Sequence, residues 1–250
     1  MKLLITNDDG VYAPGIRALA KAFCEEHDVV VVAPDSERSG AAHSITLTTP
    51  LRVKEVALED LPGVPTFAVN GTPVDCLKIA CGNLGVTPDL VISGVNLGAN
   101  LGSDVLYSGT VSAAMAAAAE GLPAIAGSVC ANKPKNFAPV IQAIKDMAPY
   151  AMKGMCHVVN INAPDLPMEA IKGYRFTASS RQQYERAYVE REDPYRQKYY
   201  WIPVRKLTTF APDEDTDERW VQEGYIAIVP LKLDMTDYAC LKMWKEKKAE

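Results

Sequence analysis

Two adjacent aspartates, Asp8 and Asp9, end the opening run MKLLITNDD and stand directly before Gly10. Short carboxylates side by side on a strand-to-loop turn present oxygens to one hard cation without a long reach, which suits Mg²⁺ or Mn²⁺. An isolated Asp-Asp-Gly is also an ordinary turn or helix cap. The chemistry therefore depends on what the chain brings to the same place. The run 34–40, PDSERSG, offers Ser39 as a neutral oxygen ligand, and the run 93–102, SGVNLGANLG, offers Asn96, whose amide serves a metal through oxygen or a phosphate through nitrogen. Ser108, Gly109 and Thr110 lead straight into VSAAM, so the free N–H groups of a helix N-terminus gather there and favour an anion. Each loop alone reads as a turn or an N-cap; four of them at one edge read as a metal and phosphate site.

The elements that would position these loops alternate. The apolar run 3–5 reads as a buried strand, and Pro14 opens an amphipathic segment with Leu19, Ala20 and Phe23 at helical spacing. Strands are predicted over 29–33, 90–93, 124–127 and 158–161, and helices over 73–81, 110–120 and 137–152. Alternation of this kind predicts an α/β fold built on a doubly wound, mostly parallel sheet. Asp8 and Asp9 then lie just past the carboxyl end of the first strand, where open parallel sheets bind ligands.

From about residue 173 the rhythm changes, because the stretch to 205 is rich in Tyr, Arg and Gln and reads as extended hairpins. The expected division is 1–172 as the catalytic domain and 173–250 as a hairpin-rich oligomerisation region with a last strand near 224–230 and a helix over 236–248 capped near Thr236. Tyr184, Tyr188, Tyr195, Tyr199, Tyr200 and Trp201 suit a half-wet contact with a second copy, the alternative being a small local core.

Composition narrows the function. A chain of 250 residues with 48% hydrophobic and 23% charged content is an ordinary globular protein with a sizeable core. No stretch approaches a membrane span, and Leu3-Leu4-Ile5 is too short an apolar run for a signal peptide, so the expected setting is cytoplasmic and free of membrane. Six cysteines without a CxxC pair read as buried free thiols. A net charge of -5 argues against long nucleic acid as a partner, while one local anion site still accommodates a small phosphorylated substrate.

In order and spacing, ITNDDGVYAPGI, VVAPDSERSGAAHSITL, VNGTPVDCLKIA and PDLVISGVNLGANLGSDVLYSGTVSAAMAAA resemble successive blocks of the SurE survival-protein family, over about residues 1–130, with NINAPDLP and EGYIAIVPLKLDMT resembling later segments. The resemblance implies a Rossmann-like fold, one divalent metal per subunit and hydrolysis of nucleoside 5′- and 3′-monophosphates, with short polyphosphate as a further substrate of some members. It places Asp8, Asp9, Ser39 and Asn96 at the metal and Ser108, Gly109 and Thr110 at the phosphate, and it implies a homodimer or homotetramer joined through C-terminal parts. The chain departs from the family pattern at His43, where Asn is frequent, and at Glu218-Arg219-Trp220, where smaller or apolar residues are common.

The mechanism expected from these residues is attack by water, with Asp8 or Asp9 accepting its proton. Phosphate contacts come from Asn96, Ser108, Gly109 and Thr110, and His43 is a candidate substrate contact and leaving-group acid. An aspartyl-phosphate route and a metal-dependent nucleotide-binding regulatory module without turnover are the other readings. An oxidoreductase finds no support, since neither GxGxxG after the first strand nor GxxxxGK[ST] is present.

Overall fold

The computed structural model describes residues 1–181, 184, 187–202 and 214–247. Its elements run β1 (Lys2–Thr6), α1 (Pro14–Phe23), β2 (Asp28–Pro34), β3 (Val53–Glu55), β4 (Thr66–Val69), α2 (Pro73–Gly82), β5 (Leu90–Leu97), α3 (Gly109–Ala119), β6 (Ala124–Val129), α4 (Ala138–Met152), β7 (Val158–Ala163), β8 (Tyr174–Phe176), β9 (Val189–Glu192), β10 (Lys198–Trp201), α5 (Asp217–Gln222), β11 (Ile226–Leu231) and α6 (Tyr238–Lys247).

Nine of the strands form one sheet in the order β3-β4-β2-β1-β5-β6-β7-β11-β8. The six from β4 to β7 are mutually parallel, and β3 and β11 run antiparallel to their inner neighbours. The period-two alternation of a strand divides β1 between two layers. Leu3 and Ile5 face Ile16, Leu19, Phe23, Val140 and Ile144 of α1 and α4, whereas Leu4 faces Leu77 and Ala80 of α2 and Val111 and Ala114 of α3. All of these are nearly inaccessible, and each large apolar side chain so buried stabilises the fold by about 1.5–3 kcal/mol before the entropy cost of ordering it.

Local chemistry sets the helix starts at the carboxyl edge. A capping box opens α2: Asp75 N–H donates to Thr72 Oγ1 (3.1 Å) while Thr72 N–H donates to Asp75 Oδ2 (2.9 Å). Ser108 caps α3, its hydroxyl accepting from Val111 N–H at 3.0 Å. Alanine after alanine then lets α3 lie close to both the sheet and α2.

Several expectations change. The strand predicted over 90–93 continues to Leu97: pairing with β6 shifts after Ser93 and resumes as Asn96↔Ser128 and Leu97↔Val129, which makes Asn96 a strand residue. The edge strands β3 and β8, and β4 beside β3, carry no pattern of their own in sequence and form by pairing. Only Cys76 is buried; Cys24, Cys81, Cys130 and Cys156 are half-buried because each lies at the end of an element or beyond it, Cys240 is half-buried on a helix that buries no residue, and none of the six is in a disulfide. The terminal helix is capped by Asp237, whose Oδ1 accepts from Cys240 N–H at 2.9 Å, and Thr236 lies outside it. The hairpin β9-β10 carries Tyr199, Tyr200 and Trp201, and the six-residue aromatic cluster is exposed throughout, so it builds no local core. Residues 203–213 and 248–250, the ends of the predicted hairpin stretch and of the terminal helix, lie outside the described residues. No described helix is long and apolar enough to cross a membrane.

Candidate active site

At the carboxyl edge of β1 the chain makes a tight turn: Asn7 Nδ2 donates to Gly10 O at 3.0 Å and Gly10 N–H returns to Asn7 Oδ1 at 3.2 Å. That closure aims Asp8 and Asp9 at different neighbours. Asp8, 4% exposed, points to the start of α3, where the Thr110 hydroxyl donates to its Oδ1. Asp9 is half-buried and its Oδ2 accepts Leu97 N–H at 3.1 Å, the residue after Asn96. Asp8 and Asp9 thus join the carboxyl end of β1 to Thr110 of α3 and to the backbone of Leu97 in β5, one residue past Asn96.

Electrostatics at this edge are unfavourable to two negative charges. Burial raises the pKa of Asp8, against which the Thr110 hydroxyl and the backbone N–H groups of Thr110 and Gly109 act to lower it. Burial, with Asp8 and Glu37 adding like charge, pushes Asp9 up to about 6. The charges acting on Asp9 are negative, so the donor set fits a divalent cation, which would supply the missing positive charge. Among the described residues no three His, Cys, Asp or Glu side chains cluster, so a cation here draws on two carboxylates and neutral oxygens. Asn96 gives one amide N–H to Gly98 O (2.9 Å), which leaves its carbonyl oxygen with metal-ligand chemistry and its second N–H as a donor suited to a phosphate oxygen.

The flanking loops are tied to the same place. Arg38 N–H donates to Asp8 O (2.7 Å), which draws in the loop bearing Ser39, but the Ser39 hydroxyl is exposed and donates to Glu37 Oε1 at 2.7 Å. His43 follows Ala42, whose N–H donates to Tyr107 O (3.1 Å) and whose carbonyl accepts from Ser112 Oγ (2.6 Å). Partial desolvation lowers the His43 pKa from its ordinary value, which favours the neutral imidazole. Ser108 is engaged as the cap of α3. Gly109 is there because the space is taken: a Cβ would stand 2.7 Å from Asp8 Cβ.

Sequence reasoning missed the layer beneath. Asn160 and Asn162 of β7 both donate to Asn100 O (3.0 Å each), Asn162 Oδ1 accepts Asn100 N–H (2.8 Å), and Asn100 Nδ2 donates to Ser128 Oγ (2.9 Å), all four side chains being buried. Two asparagines inside the apolar strand VVNINA were the available signal, because buried amides demand partners.

A mostly parallel sheet with paired carboxylates at its carboxyl edge, set against a helix N-terminus, defines a Rossmann-like α/β protein with an acidic centre whose chemistry suits a cation. The chain belongs to the SurE survival protein family, whose model, described as Survival protein SurE, matches residues 3–186. It is 44% identical to the 5′-nucleotidase SurE of Desulfatibacillum aliphaticivorans over 254 residues, covering 100% of this chain and 99% of the relative. With the 5′-nucleotidase SurE of Geobacter metallireducens it shares 45% identity over 250 residues, 98% and 96% of the two chains. The crystal structure of the SurE protein from Aquifex aeolicus superimposes with a TM-score of 0.83 at 36% identity, covering 99% of this chain and 100% of that one.

Proposed function

We propose that this protein is a phosphoric monoester hydrolase, a metal-dependent 5′-nucleotidase acting on nucleoside monophosphates. Full-length similarity to relatives that bear the 5′-nucleotidase name supports the reading. The observation that carries it is the meeting of Asp8, Asp9 and the residue after Asn96 beside the α3 N-terminus. Nucleoside 3′-monophosphates and short polyphosphate belong to the same proposal as further substrates.

Asp8, Asp9 and Asn96 would hold one Mg²⁺ or Mn²⁺ per subunit, with Ser39 joining once its hydroxyl turns from Glu37. Bound there, the cation supplies Lewis acidity and charge neutralisation for a phosphoryl group. Asp9, the less buried carboxylate, takes the proton of the attacking water, and Thr110 keeps Asp8 oriented through its hydroxyl. Asn96 and the N-terminal residues of α3, Ser108, Gly109 and Thr110, offer donors to phosphoryl oxygens. His43 would serve as a substrate contact; the lowering of its pKa by desolvation suits it to accept a hydrogen bond more than to deliver a proton. The assembly is a homodimer or homotetramer joined through 173–250, and free cysteines suit a reducing, cytoplasmic setting.

Phosphate release from a panel of nucleotides, with Mg²⁺, Mn²⁺ or EDTA, tests the reading. Nucleoside 5′-monophosphates are expected to turn over, EDTA to abolish release, and Asp8→Asn to cut it by more than about 100-fold. Metal-dependent nucleotide binding without release would replace the hydrolase by a regulatory binding module.

A further inference from the structure

The segment between Asn96 and Ser108 joins the two halves of the site, and it is held at its middle from both sides. Asn160, Asn162 and Ser128 grip Asn100 from the sheet. Two residues on, Gly102 N–H donates to Asp217 Oδ2 at 2.8 Å. Asp217 is the first residue of α5, is 0% exposed, and comes from more than a hundred residues further along the chain.

Its carboxylate binds three backbone N–H groups. Besides Gly102, its Oδ1 accepts from Ser180 (2.9 Å) and from Glu218 (2.8 Å). Its own N–H donates to Ala178 O at 3.0 Å, beside the bridge that pairs Ala178 with Thr216. Asp217 thus fastens two C-terminal stretches, 177–180 and 214–218, to the loop that links Asn96 with Ser108. Leu101, between the two anchors, is buried with Val221 of α5 and Ala227 of β11. The fit at Gly102 is close: its φ is +52°, and a Cβ would lie 2.4 Å from Ser180 O.

We propose that Asp217 is a positioning residue for phosphate hydrolysis, acting through Gly102 to fix the loop that sets Asn96 against Ser108, Gly109 and Thr110. The inference rests on the hydrolase reading above. Three N–H donors converging on one buried group require two acceptor oxygens, which a carboxylate has and an amide lacks. Displacement of the loop by about 1 Å misaligns groups whose worth lies in alignment.

The test compares Asp217→Asn, Gly102→Ala and the control Thr177→Val by steady-state phosphate release and by amide exchange. Whichever way the amide of Asp217→Asn turns, at least one N–H faces an NH₂. Expected is a fall in kcat of at least about tenfold with KM for a nucleoside 5′-monophosphate within about twofold, and faster exchange across 98–106. Thr177→Val removes a hydrogen bond to Asp215 O (2.8 Å) in the same C-terminal stretch without touching the loop, and is expected to keep wild-type kcat. Should Asp217→Asn fail to fold, Gly102→Ala decides, since it presses on the same joint from the loop side. Wild-type kcat in the folded variants, a rise in KM alone, or an equal loss in Thr177→Val would overturn the role of Asp217. A wild-type chain that released no phosphate would sink the hydrolase reading itself.

Discussion

At the level of single residues the site is a contest over Asp8. Burial raises its pKa, and the Thr110 hydroxyl with the N–H groups of Thr110 and Gly109 pulls the other way. Thr110→Val keeps the shape and removes the hydroxyl, leaving a buried carboxylate short of a donor. Cation affinity or turnover is expected to drop about 10- to 100-fold, read by calorimetric Mn²⁺ titration beside phosphate release; unchanged values in both would show that the hydroxyl does not orient Asp8. Gly109→Ala acts by volume, placing a Cβ 2.7 Å from Asp8 Cβ, and should destabilise by about 1–3 kcal/mol in denaturant melts as well as reduce activity. An alanine variant with full stability and rate would mean that α3 can back away from Asp8 at no cost. Asp8 and Asp9 stood out as candidates because they follow a strand end that apolar periodicity marks, and Thr110 because small residues lead there into a helix start; Asn96 was expected in a loop and lies in β5 instead. Asp217 did not stand out, since its partners Gly102 and Ser180 are local neither to it nor to each other.

At the level of elements, α2 shows how a helix start serves the loop above it. Asp75, buried, closes the capping box with Thr72 and also takes Thr46 N–H (3.1 Å) and the Thr46 hydroxyl (2.6 Å), so one carboxylate pins the segment that follows His43. Burial alone would raise its pKa, but the hydrogen bonds from Thr46 and Thr72 outweigh that and hold it below 3.8. A depressed carboxyl pKa stabilises the fold fully above the unfolded value near 3.8, and the contribution disappears as pH falls through the folded value. Asp75→Asn should therefore lower Tm at pH 7, with the gap to wild type closing as pH drops below about 4; a constant gap down to the lowest accessible pH would assign the loss to packing instead. Thr72→Ala should cost about 1 kcal/mol through the cap alone. This helix could be read from its Thr-Pro start, and α1 and α4 from their periodicity. The edge strand β3 and its inner neighbour β4 could not: β3 is three exposed residues, β4 follows a Pro-Gly stretch, and only hydrogen bonding of β4 to β2 and of the two to each other makes them strands.

For the whole molecule, β11 and β8 extend the same sheet that carries the site, so the C-terminal third is continuous with it by pairing, while β9-β10 and α6 stand apart from its core. None of the ten residues of α6 is buried, although Tyr238, Met243 and Trp244 are apolar and exposed, and a helix of that length is marginal in water without tertiary packing. Tyr188, Tyr195, Tyr199, Tyr200, Trp201 and Ile202 add a second exposed aromatic surface on and around the hairpin. Surfaces of this composition suit burial against another copy, as the proposed dimer or tetramer requires. A chain ending at Met235 loses α6 but none of the nine strands of the main sheet, so its unfolding transition is expected to stay within a few degrees of the full chain. Its sedimentation coefficient is expected to fall to that of a smaller assembly, and Trp201→Ala in the full chain should weaken association in the same direction. If both variants sedimented as the full chain does, α6 and the hairpin would be excluded as the subunit contact, and the exposed apolar face of α6 would need another occupant.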